Sequence, residues 1–111
     1  MVELKYQGPS PTANASGCFD LHLGCTMFIV KAGHTCLIPT GTRVALPESY
    51  VGQVFGRRSL STKGIVVHVN SIDDGDIGVV VTNTGDKDFL FREGDRVAQL
   101  MIQKVEQVAF S

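Results

Sequence analysis

The sequence predicts an all-β fold, and two observations carry the prediction. Glycine, proline and short polar clusters interrupt the chain every eight to twelve residues or so. Between them lie β-branched or aromatic runs such as Ile65-Val66-Val67, Val79-Val80-Val81 and Phe89-Leu90-Phe91, which suit a pleated, half-buried surface. No window of a dozen residues keeps an apolar period of 3.6, so no long amphipathic helix competes with this reading.

The elements follow in chain order. A first strand is expected over Val2–Tyr6, and Pro9 and Pro11 mark the loop after it. Strands are expected at Phe19–His22, Met27–Val30, Thr35–Thr40, Arg43–Ala45 and Val51–Phe55, each bounded by turn-forming residues. Ser59–Lys63 reads as one helical turn, with Ser59 as its cap and Gly64 as its stop. A long strand, Gly64–Ile72, then meets Asp73-Asp74-Gly75-Asp76, a hairpin tip leading into Ile77–Asn83. Thr84-Gly85-Asp86-Lys87 is expected to turn the chain back toward Phe89–Phe91, and Val97–Val105 is the last strand. With no repeat, low-complexity tract or linker, residues 1–111 read as one domain.

Composition excludes several function classes. Ten Lys and Arg stand against 11 Asp and Glu, a net charge of -1, which argues against bulk charge-driven binding to nucleic acid or anionic membrane. Hydrophobic residues make up 43%, yet no apolar stretch approaches the roughly 20 residues of a membrane span. Met-Val-Glu-Leu-Lys-Tyr lacks the apolar centre of a signal peptide, so cytosol or nucleus is the expected location. Cys18, Cys25 and Cys36 form no Cys-x-x-Cys. On an alternating strand Cys18 and His22 share a face that Cys25 does not, so half-buried thiols are expected rather than zinc ligands.

Gly-x-x-x-x-Gly-Lys, Gly-x-Gly-x-x-Gly and a serine nucleophile elbow are all missing. Polar residues instead gather at turns between apolar strands, where sites on rigid β scaffolds usually lie. These are Asp20, Arg57-Arg58-Ser59, the Asp73-Asp74-Gly75-Asp76 tip, and Gly94-Asp95-Arg96 followed by Ala98-Gln99-Leu100. Each cluster alone has an ordinary reading as turn former or surface charge.

In order they form a longer series: Ile38-Pro39-Thr40-Gly41, Leu46-Pro47-x-x-Tyr50-x-Gly52, Gly56-Arg57-x-Ser59-Leu60-Ser61-x-Lys63-Gly64-Ile65, Ile72-Asp73-x-Gly75-x-x-Gly78, and Gly94-Asp95-Arg96-Val97-Ala98-Gln99-Leu100. On these residues the chain resembles the trimeric dUTPase family from about Asp20 to Gln103. The resemblance implies a distorted, jelly-roll-like β-barrel. It also implies hydrolysis of dUTP or a related deoxynucleoside triphosphate to monophosphate and pyrophosphate in a homotrimer whose sites are shared between neighbouring subunits.

By resemblance, Asp73 is the carboxylate that activates the attacking water, and Asp20 holds Mg2+ through water. Arg57, Ser59 and Gln99 fall where the family contacts phosphates. The hairpin from Asn70 through Ile72 to Gly78 falls where the base edge is read by main-chain groups.

Several positions depart from the family pattern. Arg58 stands where a serine is usual, and a long cation there either clamps phosphate or blocks it. Asn70 replaces a glycine, and Asp76 replaces the tyrosine that lies against the sugar. A carboxylate about 5 Å from a phosphate charge is repelled by roughly 3 kcal/mol at an effective dielectric of 20. Ile77 and Val79 stand where an arginine and a polar or acidic residue flank the family glycine. The tail Lys104–Ser111 contains no glycine where the family carries a Gly-rich arm, so an open site is expected. Together these departures favour an altered or impaired pyrophosphatase, with a non-catalytic regulatory, protein-binding or nucleotide-binding module as the alternative.

Overall fold

Strand alternation alone separates core from surface in this chain. In β5 (Thr35–Ala45), Ile38, Thr40, Thr42 and Val44 are buried, and the residues between them are exposed. In β9 (Gly75–Asn83) the buried set is Ile77, Val79, Val81 and Asn83. The computed structural model describes residues 2–72 and 75–111, within which such strands form two main sheets and a ribbon.

A four-stranded antiparallel sheet runs in the order β1 (Lys5–Gln7), β5, β9, β7 (Ile65–Val67). A five-stranded sheet runs β2 (Thr12–Ala13), β3 (Phe19–His22), β11 (Arg96–Lys104), β6 (Tyr50–Phe55), β8 (Asn70–Ile72). The ribbon pairs β4 (Met27–Val30) with β10 (Phe89–Arg92). The only helix among the described residues is α1 (Arg58–Ser61), far too short to cross a membrane. The expected all-β class with one helical turn is therefore observed.

One core joins the sheets. Leu21, Val54, Val97 and Leu100 come from the five-stranded sheet, Ile38, Ile65, Val79 and Val81 from the other, and Val30 and Phe91 from the ribbon. Fully burying an aliphatic or aromatic side chain of this kind contributes roughly 1.5–3 kcal/mol. Thr40 and Thr42 occupy core positions where β5 bulges against β9 between Pro39 and Arg43. Their hydroxyls replace the interrupted ladder: Thr40 Oγ1 donates to the Ile77 carbonyl at 2.7 Å and accepts from the Thr42 N–H at 3.1 Å. Thr42 Oγ1 donates to the Pro9 carbonyl at 2.6 Å. Gly24 crosses this bulge so closely that a Cβ would lie 2.3 Å from the Thr40 carbonyl carbon.

The expected hairpins need correction. Gly64–Ile72 is not one strand. β7 pairs with β9, and the pairing extends to the His68 N–H on the Val80 carbonyl, after which the chain changes sheet and β8 pairs with β6. Thr84–Lys87 does turn the chain, but into the ribbon, so Phe89–Arg92 pairs with β4 and not with β9. Buried Asn83 forms that corner, donating to the Val30 and Lys87 carbonyls at 2.9 and 2.8 Å and accepting from the Gly85 N–H. Thr35–Thr40 and Arg43–Ala45 are halves of one bulged strand, and the short β2 escaped the sequence reading. Ser59 lies inside α1. The cap position belongs to Arg57, in extended conformation and without a side-chain capping bond.

Candidate functional site

Three sequence-distant segments meet because β3, β11 and β6 are neighbours. Gln99 is the register partner of both Asp20 on β3 and Phe55 on β6, so the chain leaving β6 at Gly56 starts beside Gln99. Gln99 Nε2 donates to the Gly56 carbonyl at 2.9 Å, which ties the entrance of α1 to the sheet. The result is a cleft of about 500 Å³, lined by Asp20, Arg57, Arg58, Ser59, Arg96 and Gln99 together with Asn14, Ser16 and Thr62.

Asp20 is only 7% exposed. It accepts from Asn14 Nδ2 at 3.2 Å and lies 3.8 Å from Arg96 Nη1. Asn14 Nδ2 also reaches Gln99 Oε1 at 3.3 Å, so a single amide aligns the acid and the glutamine. Asn14 is held in turn by an Asx-type turn, its Oδ1 accepting from the Ser16 and Cys18 N–H groups. Arg96 enters the cleft because β11 bulges between Arg96 and Ala98, re-aiming the side chain while Val97 and Ala98 both stay in the core. Among the described residues the walls carry three guanidinium groups and one carboxylate, a net charge of +2 by that count. Arg96 faces Asp20, whereas among the described residues no carboxylate lies within ion-pair distance of Arg57 or Arg58.

A second concavity lies where the two sheets part. β8 is the edge of its sheet and pairs only with β6, while β9 over Asp76–Val79 pairs only with β5 among the described residues. Their facing edges border a slot of about 790 Å³ lined by Asn70, Ile72, Asp76, Ile77 and Gly78 from the hairpin arms, and by Pro39–Thr42 from the bulge. Among the described residues, cleft and slot share no lining residue. Pairing explains why. Leu100, Val54 and Asn70 are aligned partners across β11, β6 and β8, and so share the inward face. Gln99, one residue earlier, points to the opposite face with Asp20 and Phe55.

Of the residues singled out from sequence, Asp20, Arg57, Arg58, Ser59 and Gln99 are gathered in the cleft. Asn70, Ile72, Asp76 and Gly78 are gathered in the slot. Asp73 lies outside the described residues. The Asp76 carboxylate is 3.7 Å from Arg43 Nη1, directly across the β5–β9 ladder. Both groups are exposed, so the pair adds little to stability, but it gives the carboxylate a cation of its own. Arg58 lines the cleft together with Arg57.

Sequence reasoning assigned no role to Asn14, Ser16, Thr62 or Arg96. Arg96 was visible inside Gly-Asp-Arg, but the bulge that aims it was not. Asn14-x-Ser16 is a local turn signal whose long-range contact, 85 residues along the chain at Gln99, has no sequence signature.

One carboxylate, buried and already steadied by an amide and a guanidinium, cannot hold a divalent ion alone. It does fit Mg2+ delivered on a phosphate chain, which keeps most of its waters and takes one or two protein carboxylates. Among the described residues no three His, Cys, Asp or Glu side chains cluster as a metal cage.

Fold and cleft together define a β-sheet protein with a cation-lined recess and a separate slot between parted strands. Comparison with known proteins makes this specific. The sequence matches the dUTPase family model over residues 5–111, and the chain belongs to the dUTPase family. It is 41% identical over 88 residues to the deoxyuridine 5'-triphosphate nucleotidohydrolase of Rickettsia prowazekii (strain Madrid E), covering 74% of this chain and 60% of that protein. Against the same enzyme of Orientia tsutsugamushi (strain Boryong) it is 33% identical over 109 residues, covering 92% and 74%. The chain thus spans about three-fifths of the length of most of these curated relatives. Among solved structures, the dUTPase from phage phi11 of S. aureus superposes with a TM-score of 0.89 at 19% identity, covering 99% of this chain and 95% of that one, a likeness of fold. The EIAV dUTPase gives 0.84 at 27% identity, with coverage of 98% and 94%.

Proposed function

We propose that the chain is a pyrophosphatase for dUTP or a closely related deoxynucleoside triphosphate, with a site altered from the family pattern. The observation that carries this reading is the cleft itself. Arg57, Arg58, Arg96, Ser59 and Gln99 converge on one recess beside the buried carboxylate of Asp20, in a chain whose overall charge is -1. Such local excess of positive charge suits a polyphosphate, and the planar guanidinium forks suit its oxygens. The relatives' names, deoxyuridine 5'-triphosphate nucleotidohydrolase, point to the same substrate.

In this reading Arg57, Ser59 and Gln99 bind the phosphate chain and steady the negative charge that moves onto the pyrophosphate leaving group. Asp73 takes a proton from the water that attacks the α-phosphorus. Asp20 anchors the waters of a magnesium ion, which supplies further charge neutralisation on the triphosphate when bound. The phi11 dUTPase coordinates a structural Mg(II) ion.

A nucleotide cannot lie in the cleft and the slot of the same chain at once if they open on opposite faces of one sheet. Pairing the cleft of one subunit with the slot of the next resolves this, and a closed threefold ring satisfies every copy equally. The assembly proposed is therefore a homotrimer. A sedimentation mass of one chain at micromolar concentration would count against it.

The test of the reaction is pyrophosphate release from each dNTP with magnesium, beside an Asp73→Asn variant. Turnover that vanishes in the variant is the expected result. If the wild-type protein binds nucleotides but releases no pyrophosphate from any of them, the chain is a binding module instead.

A further inference from the structure

We infer that Asn14 is a positioning residue for phosphate binding: it holds the side-chain amide of Gln99 in the orientation that leaves an N–H for a phosphate oxygen. This rests on the phosphate-binding reading of the cleft above and deepens it. The loop between β2 and β3 brings Asn14 to β11, 85 residues further along the chain. Asp20 is the register partner of Gln99 but, as a carboxylate, it only accepts hydrogen bonds. The Asp20 and Gln99 oxygens therefore need a common donor, and Asn14 Nδ2 supplies it at 3.2 and 3.3 Å.

Neither amide can turn over without losing bonds, because backbone groups of fixed character stand at both ends of the series. Ser16 and Cys18 offer N–H groups, which only donate, so the Asn14 atom facing them at 3.0 and 3.2 Å is the oxygen. At the far end the Gly56 carbonyl only accepts, so the Gln99 atom facing it at 2.9 Å is the nitrogen. The two requirements agree at the centre, where Asn14 presents Nδ2 to Gln99 Oε1. A reversed Gln99 would set oxygen against the Gly56 oxygen and NH2 against the Asn14 NH2.

A primary amide nitrogen carries two hydrogens. Asn14 gives one to Asp20 and one to Gln99, so both are taken. Gln99 gives one to Gly56, and its second has no partner among the described residues. Gln99 lines the cleft with Arg57, Arg58 and Ser59, and the second hydrogen is the donor it adds to theirs. Without Asn14 the Gly56 bond alone opposes turning of the amide, and a turned amide offers phosphate a repelling oxygen.

The test titrates magnesium-free inorganic tripolyphosphate calorimetrically into the full chain, in a double-mutant cycle of Asn14→Ser and Gln99→Ala. Serine keeps an acceptor for the Ser16 and Cys18 N–H groups but lacks the reach to Gln99. With Gln99 present, Asn14→Ser is expected to weaken binding about fivefold, the equivalent of one hydrogen bond. In the Gln99→Ala background the same change is expected to move affinity by less than about twofold. A loosened loop, or an effect carried by Asp20, weakens binding in both backgrounds, and that result overturns the inference. An Asn14→Ser protein that binds as tightly as wild type overturns it too. Should either variant fail to fold, NMR of the wild-type Gln99 side-chain amide decides. On saturation with tripolyphosphate one of its two protons is expected to move downfield while the other, on the Gly56 carbonyl, keeps its shift. Equal movement of both, or movement of neither, overturns the inference. A wild-type chain that binds no tripolyphosphate removes the phosphate reading of the cleft, and this inference with it.

Discussion

Asn14→Ala separates the contribution of the N-terminal loop from that of the sheet behind the cleft. Asn14 Oδ1 accepts from Ser16 N–H at 3.0 Å, Ser16 Oγ at 2.8 Å and Cys18 N–H at 3.2 Å, while Nδ2 serves Asp20 and Gln99. Ser16 is exposed, so its donors turn to water at little cost after truncation. Cys18 and Asp20 are 5% and 7% exposed, and water replaces a partner poorly at either. At about 1 kcal/mol for each bond lost, the variant is destabilised by about 2 kcal/mol. For a domain of this length 1 kcal/mol corresponds to about 4 °C, so Tm falls by about 8 °C. Asn14→Ser keeps an acceptor for the turn and recovers about half of that. It does not restore the donor shared by Asp20 and Gln99, so both variants bind tripolyphosphate more weakly than wild type. Scanning calorimetry and a tripolyphosphate titration measure the two effects. An Asn14→Ala protein that melts within about 2 °C of wild type would show that the amide bonds are not what holds the loop.

Two further outcomes follow from the same geometry. Arg58→Ser restores the family residue and removes one of the three cations in the cleft. Tripolyphosphate affinity should fall about tenfold at low salt, with the difference shrinking as salt screens the contact; a gain in affinity would mean that Arg58 obstructs the recess. Thr40→Val keeps the shape of a wholly buried side chain but leaves the Ile77 carbonyl and Thr42 N–H without its hydroxyl. The expected cost is about 2–4 kcal/mol, read as a lower urea midpoint with an unchanged slope; a loss below about 0.5 kcal/mol would refute the role assigned to the bulge.

Strand positions were legible because alternation and turn chemistry are local. Phe19–His22 and Met27–Val30 match the observed strands residue for residue, and Val51–Phe55 and Val97–Val105 differ from theirs by one residue at their ends. Pairing was less legible. Asp73–Asp76 and Thr84–Lys87 carry the residues of tight turns, yet a turn does not say whether the strands it joins pair with each other. β8 goes to β6 and β10 to β4 because those arrangements bury Ile72 against Gly52 and Phe91 in the core. The helix start shows the same limit, since Ser59 carries a capping side chain but the chain enters α1 two residues earlier.

The candidate site divides along the same line. Arg57, Ser59 and Gln99 stand in compact motifs, and a motif survives as a pattern of residue types whatever the fold around it. Asn14 and the aim of Arg96 depend on an Asx turn and a β-bulge, and are visible only with the backbone in place. Length and composition bounded the chain to one domain's size and argued only against bulk charge-driven binding to nucleic acid or membrane, while the ordered motifs carried the resemblance to the dUTPase family. The sequence by itself determined which chemical groups are available. The tertiary structure decided which of them meet, because strand register assigns each side chain to a face. One step along β11 separates Gln99 in the cleft from Leu100 in the core, on the face shared with Asn70.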